Sequence, residues 1–191
     1  MTTHVAETTP YPWPWDGRIQ GDSTALVVCG WAPSWRAAAA DEVAVTEAAV
    51  VALRDAVLDL GGLVASIAAP GPPAVGDDGG APPPVLGADV HLESPGLDAF
   101  HGTPLDDVLR RSGRTHLLIA GHGLEGPVHS TMRSANDRGY ECLLVADAAS
   151  AGDPTLRRSA VSQVEMSGGI FGAVGSLDHV LTALSTPKES T

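Results

Sequence analysis

His122 and Glu125 stand three residues apart in the run GHGLEGPVHST, with His129, Ser130 and Thr131 close behind. A histidine beside a carboxylate can move protons, and hydroxyls can attack or donate, so this stretch is the first place to look for chemistry. His122 falls at the mouth of a strand, where it reads either as a pocket base or ligand contact or as a solvated loop histidine. Glu125 precedes a helix, and its charge suits the positive end of the dipole, so capping competes with a pocket role. His129 reads as a structural or interface residue. Ser130 and Thr131 are expected to bond back to the helix backbone. Cys29 and Cys142 each lie inside an apolar run, which makes them core thiols rather than a disulfide and suits a reducing cytoplasm. Cys29 should also point away from the strand mouth, because adjacent strand residues face opposite sides. Trp31 and Trp35 either line a pocket or pack in the core, Phe100 joins them as a pocket candidate, and Asp147, at a strand end, reads as structural.

These residues need a scaffold, and the apolar pattern supplies one. TALVVC (24–29), LVASIA (63–68), 88–92, HLLIA (116–120) and ECLLVA (141–146) are short apolar runs of the kind buried on both faces of a parallel sheet, with a last short strand over 171–174. Between them, apolar residues at helical spacing predict helices over 41–60, from 104 to about 112, 127–138, 156–166 and 176–184. Asp41, Thr103 and Ser176 are the expected caps, and Gly61–Gly62 and Gly139 the expected stops. The alternation predicts a three-layer α/β/α domain with a mainly parallel sheet over 25–185. Ligands in such sheets bind beyond the carboxyl ends of the strands. Residues 1–24, where Pro10, Pro12 and Pro14 alternate with Tyr11, Trp13 and Trp15, read as an extended arm whose aromatics lie against the domain surface. Residues 70–86, almost all Pro, Gly, Ala and Asp, read as a flexible loop, and 186–191 as a frayed tail.

A net charge of −12 with no basic run argues against nucleic acid or anionic membrane as a partner. The first residues lack the charged and apolar regions of a signal peptide, and no run is long and apolar enough to span a bilayer, so a cytoplasmic location is expected.

The stretch THLLIAGHGLEGPVHSTMRSANDRGYECLLVADAAS (115–150) resembles the isochorismatase-like cysteine hydrolases. Val128, Ser130, Thr131, Ala135, Gly139, Tyr140 and Asp147 match that family's pattern. PYPWPWDG, STMRSANDRGYECLL and MSGGIFGAV are similar to its biuret-hydrolase branch, and the likeness runs over roughly 10–185. It implies a catalytic Asp, Lys and Cys, but Gly30 stands where the Asp would be, Ser94 where the Lys would be and Pro127 where the Cys would be. Gly30 cannot take a proton, Ser94 offers no cation, and Pro127 has neither a nucleophile nor the backbone N–H that the family's oxyanion hole would use. A proline in the first turn of a helix costs the fold nothing, since that N–H has no helical partner. The family's metal-binding Asp-x-His has no counterpart. Asp89 and His91 have the spacing but lie one strand too late, so no metal and no cofactor is expected. The segment that walls the family's pocket is also shortened to PGPPAVGDDGGAPPP. The resemblance thus implies a pseudoenzyme, with homo-oligomers or hetero-oligomers with a homologous subunit as its mode of action. The alternatives are a module binding a small ureido or amide compound, and a hydrolase or isochorismatase-type enzyme with a site rebuilt around His122 and Glu125.

Overall fold

The computed structural model describes residues 4–72 and 87–185. The expected loop over 70–86 lies outside them except for residues 70–72, as does the tail over 186–191.

The chain forms β1 (Thr24–Cys29), α1 (Pro33–Ala38), α2 (Val43–Leu60), β2 (Leu63–Ala68), β3 (Val90–Glu93), α3 (Leu105–Arg111), β4 (His116–His122), α4 (His129–Asp137), β5 (Glu141–Ser150), α5 (Arg157–Glu165), β6 (Ala173–Gly175) and α6 (Leu177–Leu184). The strands make one six-stranded sheet in the order β3-β2-β1-β4-β5-β6, with every pairing parallel. All six residues of β1 and all seven of β4 are buried, as central strands covered on both faces require. Alternation along each strand sends side chains to two cores. Val27, Cys29 and Ile119 meet α3, α4 and α5 through Leu109, Met132 and Val164. Leu26, Val28 and Leu118 meet α2 and α6 through Leu53, Val57 and Val180.

Several boundaries move for local reasons. Asp41 does not cap α2, whose N-cap is Glu42 without a side-chain bond. The other end stops as expected: Gly61 takes a φ of +86°, its N–H donates to Leu58 O, and Gly62 N–H donates to Val57 O, the left-handed turn that glycine permits. Helix α6 is capped by Asp147, whose Oδ1 accepts from Leu177 N–H at 2.7 Å, rather than by the Ser176 side chain. The expected helix over 127–138 is preceded by a wide turn, Leu124–Val128, with Pro127 inside it. Helix α1 is an element that the apolar pattern does not reveal.

The arm is more than a surface cover. Trp13 is fully buried, in one core cluster with Val5 and Leu26, whereas Trp15 is exposed. Thr9 exchanges two backbone bonds with Val174 of β6, which extends the sheet by one antiparallel bridge.

Strand β5 runs past its expected end through a bulge. Leu144 pairs with Ile119 and Ala149 with Gly121, so β5 carries surplus residues there. The carbonyls freed by the bulge are satisfied by Arg157, which donates to Ala146 O and Ala149 O, both at 2.8 Å. Its guanidinium also reaches Glu42 at 3.0 Å.

Candidate functional site

Gly30, Pro127 and His122 meet at the carboxyl ends of β1 and β4. Gly30 sits at φ +62°, and a Cβ built on it would fall 2.2 Å from His122 O and 2.9 Å from Pro127 Cγ. A side chain is excluded there twice over, by the left-handed backbone and by contact with backbone and ring. Ser94 follows β3 and is buried, with its Oγ 2.7 Å from Asp98 O and accepting from Gly96 N–H at 3.2 Å. Its hydroxyl ties the 94–98 turn. Asp98 is held in turn by Ser134 Oγ–H and Phe100 N–H.

Trp35 fills the space beside Pro127. A Cβ on Gly123, Gly126 or Gly152 would come within 2.6–2.9 Å of its ring, so the indole lies flat against three stretches of bare backbone. Its Nε1–H donates to Pro70 O at 2.7 Å. Sequence alone left Trp35 between pocket lining and packing, and here it packs. Phe100 does not face this region: it stacks on Tyr140 at 5.8 Å and under the Arg138 guanidinium at 4.8 Å. Glu125 accepts from Gly152 N–H at 3.1 Å and Asp153 N–H at 2.9 Å, so it clamps the turn after β5 rather than capping the following helix.

His122 is not a loop residue. It is the last residue of β4, fully buried, on the same side as Leu118 and Ala120. Its Nδ1 shares a 2.7 Å hydrogen bond with Ser150 Oγ, and its ring stacks on Trp31 at 5.0 Å. Nε2 lies 3.9 Å from Glu47 Oε1, an oxygen already paired with Arg36 at 2.6 Å. His122 Nε2 and Trp31 Nε1 are buried without hydrogen-bond partners among the described residues. Burial brings the His122 pKa down to about 4, the Arg36 charge acts in the same direction, and Glu47 opposes them. The imidazole is therefore neutral at physiological pH. Serine, histidine and carboxylate thus come together here, but Ser150 and His122 are both sealed from solvent. Sequence reasoning missed Ser150, Glu47 and Arg36. Two more residues on β4 would have placed His122 by strand parity, whereas nothing local marks Ser150, which reaches this spot only because of the bulge.

Most of the remaining candidates are buried or bonded within the chain. Burial pushes the Cys29 thiol up to about 12, and it lies in the core on the α3–α5 face, so no thiolate forms there. Thr131 Oγ1 accepts from Ala99 N–H at 2.9 Å, not from its own helix. His129 Nε2 meets Ala160 O at 2.8 Å and Nδ1 accepts from Arg133, which joins α4 to α5. Asp89 Oδ2 accepts from Val64 N–H at 2.8 Å, which leaves it a strand clamp. A cleft of about 420 Å³ opens between α4 and α5, lined by Glu125, Ser130, Arg133 and Gln163 among others.

Residues 24–176 match the isochorismatase domain family. The ureidoacrylate amidohydrolase RutB of Methylobacterium radiotolerans is 33% identical over 103 residues, 53% of this chain and 39% of that protein. The chain spans about two-fifths of the length of the curated relatives it matches. Among solved structures, an isochorismatase family protein from Burkholderia thailandensis superposes with a TM-score of 0.72 at 24% identity, covering 86% of this chain and 97% of that one. The nicotinamidase SaPncA of Staphylococcus aureus gives 0.65 at 20% identity, over 81% of this chain and 99% of that one.

Proposed function

The chain belongs to the isochorismatase domain family, and from that premise we propose that it is a non-catalytic member which acts by assembly, with itself or with a homologous subunit. The observation that carries this reading is the contact between Gly30 and Pro127. Where the resemblance implies an acid, Gly30 has no room for a side chain, and where it implies a nucleophile, the Pro127 ring stands against that glycine. Ser94, at the third, spends its hydroxyl on the chain itself. Trp35 occupies the adjoining space, which takes room that a substrate carbonyl and its polarising donors would need.

Assembly is supported by apolar side chains left in water. Met166 is 83% exposed and Ile170 is 71% exposed, four residues apart in the MSGGIFGAV segment, and apolar side chains grouped in solvent suit a contact surface. Two measurements test the proposal. Turnover of ureidoacrylate, biuret and simple amides should be absent. Light scattering should give a mass above the monomer, either alone or with a homologous subunit, and Ile170→Glu should lower it. A strictly monomeric chain that binds no homologue would defeat the assembly half, and measurable turnover would defeat the other.

A second reading, a hydrolase with a rebuilt site, is favoured by the hydrogen bond between His122 and Ser150. It requires the buried pair to open to substrate. Activity abolished by Ser150→Ala or His122→Ala in a chain that stays folded would install it in place of the first.

A further inference from the structure

The amino end of the sheet holds a cluster that none of this uses. His116 opens β4 and Glu141 opens β5, and the two are direct partners in the strand register. Asp16 reaches them from the arm. His116 Nε2 lies 3.5 Å from Asp16 Oδ1 and 3.4 Å from Glu141 Oε2, and the three ligand atoms all fall within 4.8 Å of one another. Those spacings are long for charged hydrogen bonds, which close to about 2.7–2.9 Å. The two distances from His116 lie close to the ligand-to-ligand edges of about 3.3–3.4 Å that follow from tetrahedral metal bonds of about 2.0–2.1 Å.

The surroundings are those of a prepared ligand set. The His116 side chain is 9% exposed and lies under the edge of Trp13 at 5.9 Å. Its other nitrogen, Nδ1, is 3.2 Å from Thr115 Oγ1, the kind of outer partner that fixes a metal-binding imidazole. Each carboxylate is oriented by backbone: Trp15 N–H donates to Glu141 Oε1, and Arg18 N–H donates to Asp16 Oδ1 at 3.0 Å. Glu141 Oε2 is thereby turned toward the ring.

We propose that His116, Asp16 and Glu141 bind one divalent cation of the zinc class, with a fourth position for water. One imidazole and two carboxylates suit such an ion better than a soft monovalent metal, which prefers sulfur. Two ligands sit on neighbouring strands and one on the arm, so the ion cross-links the arm to the sheet. The inference depends neither on the missing triad nor on assembly.

The test strips the full chain with a chelator and titrates it with Zn²⁺, following tryptophan emission, because Trp13 and Trp15 flank the cluster. A single equivalent should bind and change that emission. With free Zn²⁺ at about a hundred times Kd, Tm should rise by about 5 °C. Asp16→Asn, a change at a half-exposed side chain, should weaken binding by about tenfold or more, and Glu141→Gln likewise. Co²⁺ in place of Zn²⁺ should give the visible absorption of a tetrahedral site, lost in Asp16→Asn. The proposal is overturned if Zn²⁺ fails to bind, if it binds without changing tryptophan emission, or if both variants bind it as tightly as the parent.

Discussion

At the carboxyl ends of the strands, Trp35, Pro127 and the bare backbone of Gly30 occupy the space beside one another, and the polar groups that remain, Ser94 and Glu125, bond to the chain itself. At the amino ends, His116 faces two carboxylates at distances too long to be spent as hydrogen bonds. The first region spends most of its side chains on packing, with His122 buried behind them, and the second gathers three ionisable side chains at the sheet's amino end. In a parallel sheet of this kind the carboxyl end is where ligands are expected. The contrast teaches that, among the described residues, the end of the sheet where ligands are expected can be the more tightly packed one, while titratable groups gather at the other.

Four measurements test this contrast. The largest effect should come from Trp35→Ala, which removes a buried indole from its glycine cradle and should cost about 4 kcal/mol in denaturant unfolding. A loss under about 1 kcal/mol would mean that the mouth can collapse or is wet. Gly30→Asp, which installs the residue type that the resemblance implies, should cost about 3 kcal/mol through the left-handed backbone and the clash with His122 O, without creating turnover. If this variant were as stable as the parent, the closed-mouth description would fail.

The third concerns His122. In the folded chain its imidazole stays unprotonated until the pH approaches about 4, whereas an unfolded histidine takes up a proton near about 6.5. The unfolded state therefore binds more protons between those values, and stability falls as pH drops through that window. This group alone should remove about 2 kcal/mol between pH 7 and pH 5. His122→Gln should flatten that acid limb, and an unchanged slope would mean that the ring is wetter than its surroundings indicate. The smallest effect should come from Arg111→Ala, which breaks the exposed pair with Asp107 on α3 and should change stability by less than about 0.5 kcal/mol. A larger loss there would show that surface charge matters in this chain more than its packed mouth.

The sheet was legible because its strands are apolar throughout and its helices carry apolar residues at helical spacing. TALVVC and LVASIA read as central strands and are central strands. What could not be read were places where one segment answers another. His122 looks like a loop residue until β4 is followed to its true end. Asp147 caps a helix thirty positions away. Trp13, in a stretch of prolines that reads as a covering arm, is wholly interior. Asp16, His116 and Glu141 are scattered along the chain and converge only through strand register and the path of the arm. Spacing along a sequence carries no trace of such meetings.

The abutment of Gly30 on Pro127 also bears on how this chain can change. A carboxylate at position 30 is a burden while the pyrrolidine ring is in place, and a thiol at position 127 is idle while position 30 lacks its acid. The two sites are neighbours in space, so the effects of substitutions there are not expected to add. Steric exclusion thus works as a ratchet: under the reading proposed above, restoring the acid, lysine and thiol that the resemblance implies takes replacements at positions 30, 94 and 127, and the first of them meets a clash.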